Sequence, residues 1–303
     1  MSRIPVWFDT DIGVDDAAAL LVLGKVRDVE IVGVSAVVGN VILDNSYANA
    51  RKVAHLMGLD CPVYRGADRP LLKPLRMAAF IHGVDGLGGA ELPPSPAPET
   101  EEPAWDALYR AAEAEQGELQ VIAVGPLTNL AIAFAKYPDL KDRLKRILIM
   151  GGSGRQGNMT PAAEVNMWAD PHAAQAVFQS GVPIVMCGLD VTNRVCLTEE
   201  EVQAVIGHDS PVCRFFRAAT GLLRNGGGLW LHDICPVVYL AHPEFFSGRE
   251  AGVAVETRGT ITNGKTVTDL WSAAKFPKKN AFVVLEADRA AYGAYVRDAL
   301  LQY

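Results

Sequence analysis

Short apolar runs along the chain alternate with longer stretches in which apolar residues return every three or four positions. The runs are IPVWF (4–8), IVGVSAVV (31–38), CPVY (61–64), LQVIAV (119–124), RILIM (146–150), VPIVMC (182–187) and AFVVLE (281–286). Between several of them lie helical patterns: DDAAALLVLGKV, LDNSYANARKVAHLMG, AWDALYRAAEAEQG, LTNLAIAFAKY and PHAAQAVFQSG. Near-continuous apolar runs separated by amphipathic helices are the mark of strands buried on both faces. The pattern predicts an α/β fold: one layered α/β/α domain over residues 1–303 with a mostly parallel central sheet.

Two segments break this rhythm. Residues 65–103 hold RGADRPLL, HGVDGLGG and the proline-rich ELPPSPAPETEEP, too long for an ordinary connection. Residues 221–233, GLLRNGGGLWLHD, set three glycines ahead of a His-Asp pair. Within them, 74–98 and 221–231 are expected to be active-site loops. The 250s to 270s, with AVETRG and TITNG, read as a strand or hairpin appended near the sheet edge.

Charge narrows the range of partners. The 303 residues carry 28 basic and 35 acidic side chains, a formal charge of -7, with no dense basic run. A nucleic-acid backbone or an acidic membrane surface is therefore not an expected partner. Cys61, Cys187, Cys196, Cys213 and Cys235 are odd in number and widely spaced, without a CxxC pair. Free thiols in a reducing compartment fit that usage, and with no secretory h-region at MSRIPVWFDTD a cytoplasmic location is expected.

The chemistry concentrates at VWFDTDIGVDDAAALLVLG, which crowds Asp9, Asp11, Asp15 and Asp16 between an apolar strand and an apolar helix. Each carboxylate raises the proton affinity of its neighbours, so a cation is expected among them. Helix capping and dipole charge account for Asp15 or Asp16, but not for four acids. Oxygen ligands suit calcium or magnesium. An EF-hand fails, because its glycine and closing glutamate would fall on Val14 and Leu20. An aspartyl phosphotransferase also opens with Asp-x-Asp, but no clear lysine and acidic partner for phosphate follow. The glycines of Gly151-Gly152-Ser153-Gly154 lack the P-loop lysine and read as a turn at the rim.

The segment DTDIGVDDAAAL resembles the D-x-D-P-G-x-D-D signature of the inosine-uridine preferring nucleoside hydrolases. Further stretches match in order: Gly39-Asn40, HGVDGLGG (82–89), GPLTNLA (125–131), NMTPAAEVN (158–166) and HDICP (232–236). The resemblance spans nearly the whole chain. It implies a Ca2+ ion held by Asp11, Asp16, the backbone carbonyl of Thr128 and Asp233. It implies a ribose gripped by Asp15, Asn40, Asn158, Glu164 and Asn166, with the 2′ and 3′ hydroxyls completing the ion's shell. It also implies a ribonucleoside substrate and a homodimer or homotetramer.

These residue types suit the chemistry. Three carboxylates around a dication leave about one negative charge, which favours a ribosyl centre that turns positive as the glycosidic bond breaks. The expected reaction is hydrolysis at C1′, with Asp11 taking a proton from water as general base. His232 and His82 are the candidates to assist the leaving base, since imidazole titrates near neutral pH. Glu164 and Asn166, two apart, would face one way in an extended segment.

Departures from the family pattern bear on the base. Ile12 replaces the usual proline, Val165 stands where an aromatic often separates Glu and Asn, and Leu231-His232-Asp233 points to the inosine-uridine or pyrimidine-preferring branch. Trp230 is a further candidate for the base site, and Phe216 and Thr220 lie one turn apart where relatives contact the base. Trp7, Phe8 and Met150 read as core. Two alternatives stay open: hydrolysis of a modified nucleoside or another N-ribosyl compound, and a nucleoside- or ribose-binding protein without turnover.

Overall fold

The computed structural model describes residues 3–77, 82–224, 226–271 and 275–303. Residues 78–81 and 225, inside the two expected active-site loops, lie outside the described residues. The strands are β1 (Ile4–Thr10), β2 (Val29–Ala36), β3 (Val63–Arg65), β4 (Leu119–Ala123), β5 (Leu144–Met150), β6 (Ile184–Cys187), β7 (Phe246–Ala251), β8 (Val253–Val255), β9 (Thr266–Thr268) and β10 (Ala281–Ala287). The helices are α1 (Val14–Leu23), α2 (Leu43–Leu56), α3 (Ala104–Ala114), α4 (Thr128–Lys136), α5 (Val165–Ala169), α6 (Pro171–Phe178), α7 (Leu189–Thr192), α8 (Glu199–Gly207), α9 (Pro211–Ala219), α10 (Ile234–Ala241) and α11 (Arg289–Leu300).

The main sheet has the order β3-β2-β1-β4-β5-β6-β10-β7. All neighbours are parallel except β7, which runs antiparallel to β10 at the edge. Both faces are covered, as the expected α/β/α layering requires. In β1 the period of two sends Val6 and Phe8 into one core with α1, α9 and α10, and Trp7 into the other with α3, α4 and α6. Trp7 and Phe8 are wholly buried core residues, as expected. A Cβ on Gly33 of the neighbouring strand would overlap the Trp7 ring, so a glycine is needed beside that indole.

From β1 the chain winds outward to β2 and β3, then crosses back to place β4 on the other side of β1. The winding direction reverses there. Ligands of open α/β sheets sit beyond the carboxyl ends of strands at such a switch point. Asp9 and Thr10 close β1 at that crevice, and Gly125 to Thr128 follow β4 into it.

Two features differ from the sequence pattern or extend it. The edge strand β7, FSGREA, is mostly exposed and polar, so no apolar period announced it. The appended hairpin is present as the antiparallel pair β8–β9, separate from the main sheet. No helix among the described residues is long and apolar enough to cross a membrane.

Candidate active site

The turn Asp11–Gly13 carries the chain from β1 into α1, and the first turn of α1 presents Asp15 and Asp16. Asp16 is fully engaged. Its Oδ1 accepts from the Thr10 hydroxyl (2.6 Å), and its Oδ2 accepts from Gly13 N–H (2.8 Å) and Asn40 Nδ2 (3.2 Å). The capping role weighed from the sequence is thus real for Asp16, through the Gly13 amide. Asp11 Oδ2 accepts from Asn40 N–H at 2.6 Å, whereas buried Asp11 Oδ1 and Asp15 Oδ1 have no hydrogen-bond partner among the described residues.

Asp233 enters from the sequence-distant start of α10. Carboxylate oxygens of Asp15, Asp16 and Asp233 lie within 4.8 Å of one another. Asp15 thus joins Asp16 and Asp233, two of the acids that the resemblance gives to the ion. Burial, then the neighbouring Asp16 charge, pushes the Asp11 carboxyl well above the usual carboxylate range. Burial followed by the charges of Asp15, Asp16 and Asp11 does the same to Asp233. Burial and then Asp15 raise Asp16.

Such a group must hold protons or a cation, because bare carboxylates at this separation repel strongly at low dielectric. The fit to calcium rests on these atoms: hard oxygen donors, carboxylate oxygens of Asp11 and Asp15 without a hydrogen-bond partner among the described residues, and no lysine or arginine among the described residues lining the site. The backbone closes tightly around Asp11. A Cβ on Gly39 would overlap Asp11 Oδ2, and one on Gly125 would stand 2.7 Å from Oδ1.

Above the acids opens a cavity of about 250 Å³. Asp15, Asn40, Asn158, Glu164, Asn166 and Asp233 line its polar side. His82 and His232 line it as well, and Val124, Val165, Leu223 and Trp230 are apolar lining, joined by Met150, a core residue that also reaches the cavity. Asp11, Asp16 and Thr128 are buried behind this lining. Larger hollows, such as one of about 470 Å³ against Arg51 and Pro96, gather no comparable set of carboxylates.

Glu164 and Asn166 do share a cavity, but not through an extended segment. Glu164 is the N-cap of α5 and Asn166 lies in its first turn. The Glu164 carboxylate accepts the N–H groups of Gly152 (2.9 Å), Asn166 (2.9 Å) and Met167 (3.2 Å), which makes the helix start preferable to a strand. Burial pushes Glu164 up to about 7 against the pull of those donors. Asn166 Nδ2 donates to the carbonyls of Val124 (2.8 Å) and Met150 (3.1 Å) at the ends of β4 and β5. The glycine turn after β5 thus belongs to the rim through Gly152.

Each histidine is held through Nδ1. Val14 N–H donates to His82 Nδ1 at 3.2 Å, so that nitrogen acts as an acceptor. His232 Nδ1 lies 2.8 Å from the hydroxyl of Thr192, at the end of α7. Burial lowers the proton affinity of His232, while the Asp15 charge acts in the opposite sense. Trp230 lines the cavity and donates from Nε1 to Asn193 O at 3.3 Å. Phe216 and Thr220 do not line it. Both are buried, and the Thr220 hydroxyl donates back to Phe216 O at 2.7 Å, across the C-terminal end of α9.

Sequence reasoning passed over Asp170, Thr192 and Leu223. Asp170 reads as a helix cap in WADPHAA, and its contact with the Thr128 hydroxyl (2.9 Å) spans 42 positions. No local pattern signals such a contact.

The sequence model of the inosine-uridine preferring nucleoside hydrolases matches residues 6–294. The chain belongs to this family. It is 38% identical to the non-specific ribonucleoside hydrolase RihC of Klebsiella pneumoniae (strain 342), over 98% of each chain. The purine-preferring ribonucleoside hydrolase from Gardnerella vaginalis is similar in structure, with a TM-score of 0.91 and 28% identity over 99% of this chain and 100% of that one. A plant nucleoside hydrolase, the PpNRh1 enzyme, superposes with a TM-score of 0.93 at 28% identity over the same shares. The nucleoside hydrolase fold expected from the motifs is therefore borne out. The protein is an enzyme of that family, a nucleoside N-glycosidase whose acidic cluster takes calcium.

Proposed function

We propose that the protein hydrolyses common ribonucleosides, inosine and uridine among them, with little discrimination between purine and pyrimidine bases. The observation that carries this reading is one cavity lined by two unlike sets of side chains. Its carboxylates and amides suit the sugar, and the apolar Val124, Met150, Val165, Leu223 and Trp230 with the two imidazoles are left for the base. Among the described residues left for the base none carries a side-chain amide, so they offer little donor-acceptor pattern to distinguish one base edge from another. The non-specific hydrolases at 36–38% identity support the same reading.

In this reading Asp11, Asp16, the Thr128 carbonyl and Asp233 would hold the ion, with Asp15 beside them. When bound, calcium supplies the positive charge that makes water more acidic and gives the two vicinal ribose hydroxyls a common anchor. Asp11, whose Oδ1 has no hydrogen-bond partner among the described residues, takes the proton of the attacking water. Asp15, Asn40, Asn158, Glu164 and Asn166 orient the sugar. Asn166, with its amide hydrogens committed to Val124 and Met150, offers its carbonyl oxygen to a ribose hydroxyl.

As C1′ becomes cationic, the surrounding carboxylates stabilise it. His82 and His232 present Nε2 to the departing base, because Nδ1 of each is already engaged. The segments 74–98 and 221–231 bound the cavity through His82, Leu223 and Trp230 and serve as the active-site loops. Assembly is as a homodimer or homotetramer.

The test is release of reducing sugar from inosine, uridine, cytidine, adenosine, guanosine and the deoxynucleoside thymidine, with added calcium and after chelation. Calcium-dependent release at comparable rates from the ribonucleosides is expected. No release from any of them would overturn the reading in favour of a modified base or a binding role.

A further inference from the structure

A helix cap needs one carboxylate oxygen, and Asp170 uses only Oδ1 for that purpose, accepting Ala173 N–H at 3.0 Å. Its Oδ2 is engaged far from its own helix. It accepts from the Thr128 hydroxyl at 2.9 Å and from Leu71 N–H at 2.8 Å, residues 42 and 99 positions away. Asp170 is wholly buried, so these bonds work at low dielectric without competition from bulk water. Asn129, the next residue in the same helix start, is fixed separately: it donates to Asp9 (2.7 Å) and accepts from Ala67 N–H (2.8 Å).

We propose that Asp170 is a positioning residue for the cation site. It locks the Thr128 peptide in place through the hydroxyl and ties it to the segment Ala67–Met77 that leads toward His82. The inference rests on the proposed role of the Thr128 carbonyl as a calcium ligand. Groups that orient a ligand from behind commonly set metal affinity within one or two orders of magnitude. Capping alone leaves the Oδ2 contacts unexplained, since neither Thr128 nor Leu71 belongs to the capped helix.

The test is calorimetric titration of calcium alone into chelator-stripped protein, comparing wild type with Asp170→Asn, Thr128→Val, Thr128→Ser and the double variant Asp170→Asn/Thr128→Val. Each of D170N and T128V is expected to weaken calcium binding about tenfold. The double variant should be no weaker than the worse single one, because both remove the same contact. T128S, which keeps the hydroxyl, should restore wild-type affinity. If D170N does not fold, T128V against T128S carries the test, since neither touches the α6 cap. Wild-type affinity in T128V would overturn the proposal and reduce Asp170 to a cap, as would a wild type that takes up no calcium. Weakened calcium binding in a protein that cleaves no ribonucleoside would leave this inference standing and overturn only the catalytic reading.

Discussion

The Thr192 hydroxyl and the His232 imidazole are 2.8 Å apart, and this contact joins a four-residue helix to the base side of the cavity. With Nδ1 engaged by Thr192, Nε2 is the nitrogen left for substrate. Replacing Thr192 with Val removes the anchor and keeps the volume. The variant is expected to lose about 10- to 100-fold in kcat on inosine and uridine, part of what a well-placed general acid contributes. Turnover of nitrophenyl riboside, whose leaving group departs without a proton, should change little. Equal losses on both substrate types would place the effect in folding or sugar binding.

Asp11→Asn separates enzyme from binder. Loss of a general base lowers kcat by about 10²- to 10⁴-fold while substrate contacts made by other residues persist. A matching rise in KM with unchanged kcat would assign Asp11 to binding instead. Single-turnover kinetics with calcium held saturating reads the two apart.

Much of the fold is legible because its strands are buried on both faces. LQVIA and IVMC have no exposed residue to interrupt the run, and each became a strand of the parallel sheet. The edge strand FSGREA is not legible in that way, since its exposed positions accept polar residues and its glycine packs against the backbone of β10. At the site, the acids of the first turn and the HDICP motif are contiguous in sequence and readable. The supports behind them are not: Thr192 to His232 spans 40 positions and Asp170 to Thr128 spans 42. Each exists only once the sheet order has set β4, β5 and β6 side by side, with the start of α10 beside them. Glu164 shows a third case, where the residue is readable but its conformation is not, because three backbone amides of the folded chain select the cap.

Gly39 is a sharp steric probe of the acid cluster. A methyl group there would overlap Asp11 Oδ2, the oxygen that Asn40 N–H holds. Gly39→Ala should displace Asp11 and weaken both calcium binding and turnover by at least about tenfold, with overall helix content preserved. Gly181→Ala is a poor control, because its positive φ adds strain of its own. Gly207, with open space around its Cβ position, is the matched one. Wild-type calcium affinity in G39A would show that the turn relaxes around the methyl.

Asp9 gives a pH signature for stability. Its Oδ1 accepts from Asn129 Nδ2 and the Ser35 hydroxyl, while its buried Oδ2 has no hydrogen-bond partner among the described residues. Burial lifts the carboxyl from 3.8 to about 7, against those two donors. The folded protein thus keeps a proton that the unfolded chain releases near its ordinary value. This contribution is complete below the unfolded pKa and is lost as pH climbs through the folded one, a span worth about 4 kcal/mol by linkage. Asp9→Asn keeps an oxygen for both donors and removes the titration. Urea midpoints of chelator-treated protein should therefore fall more steeply for wild type than for D9N between about pH 4 and pH 7. Above that window D9N should be the more stable of the two. Parallel curves would mean that Asp9 ionises in the folded protein as an ordinary carboxylate, and that the Ser35 and Asn129 bonds outweigh its burial.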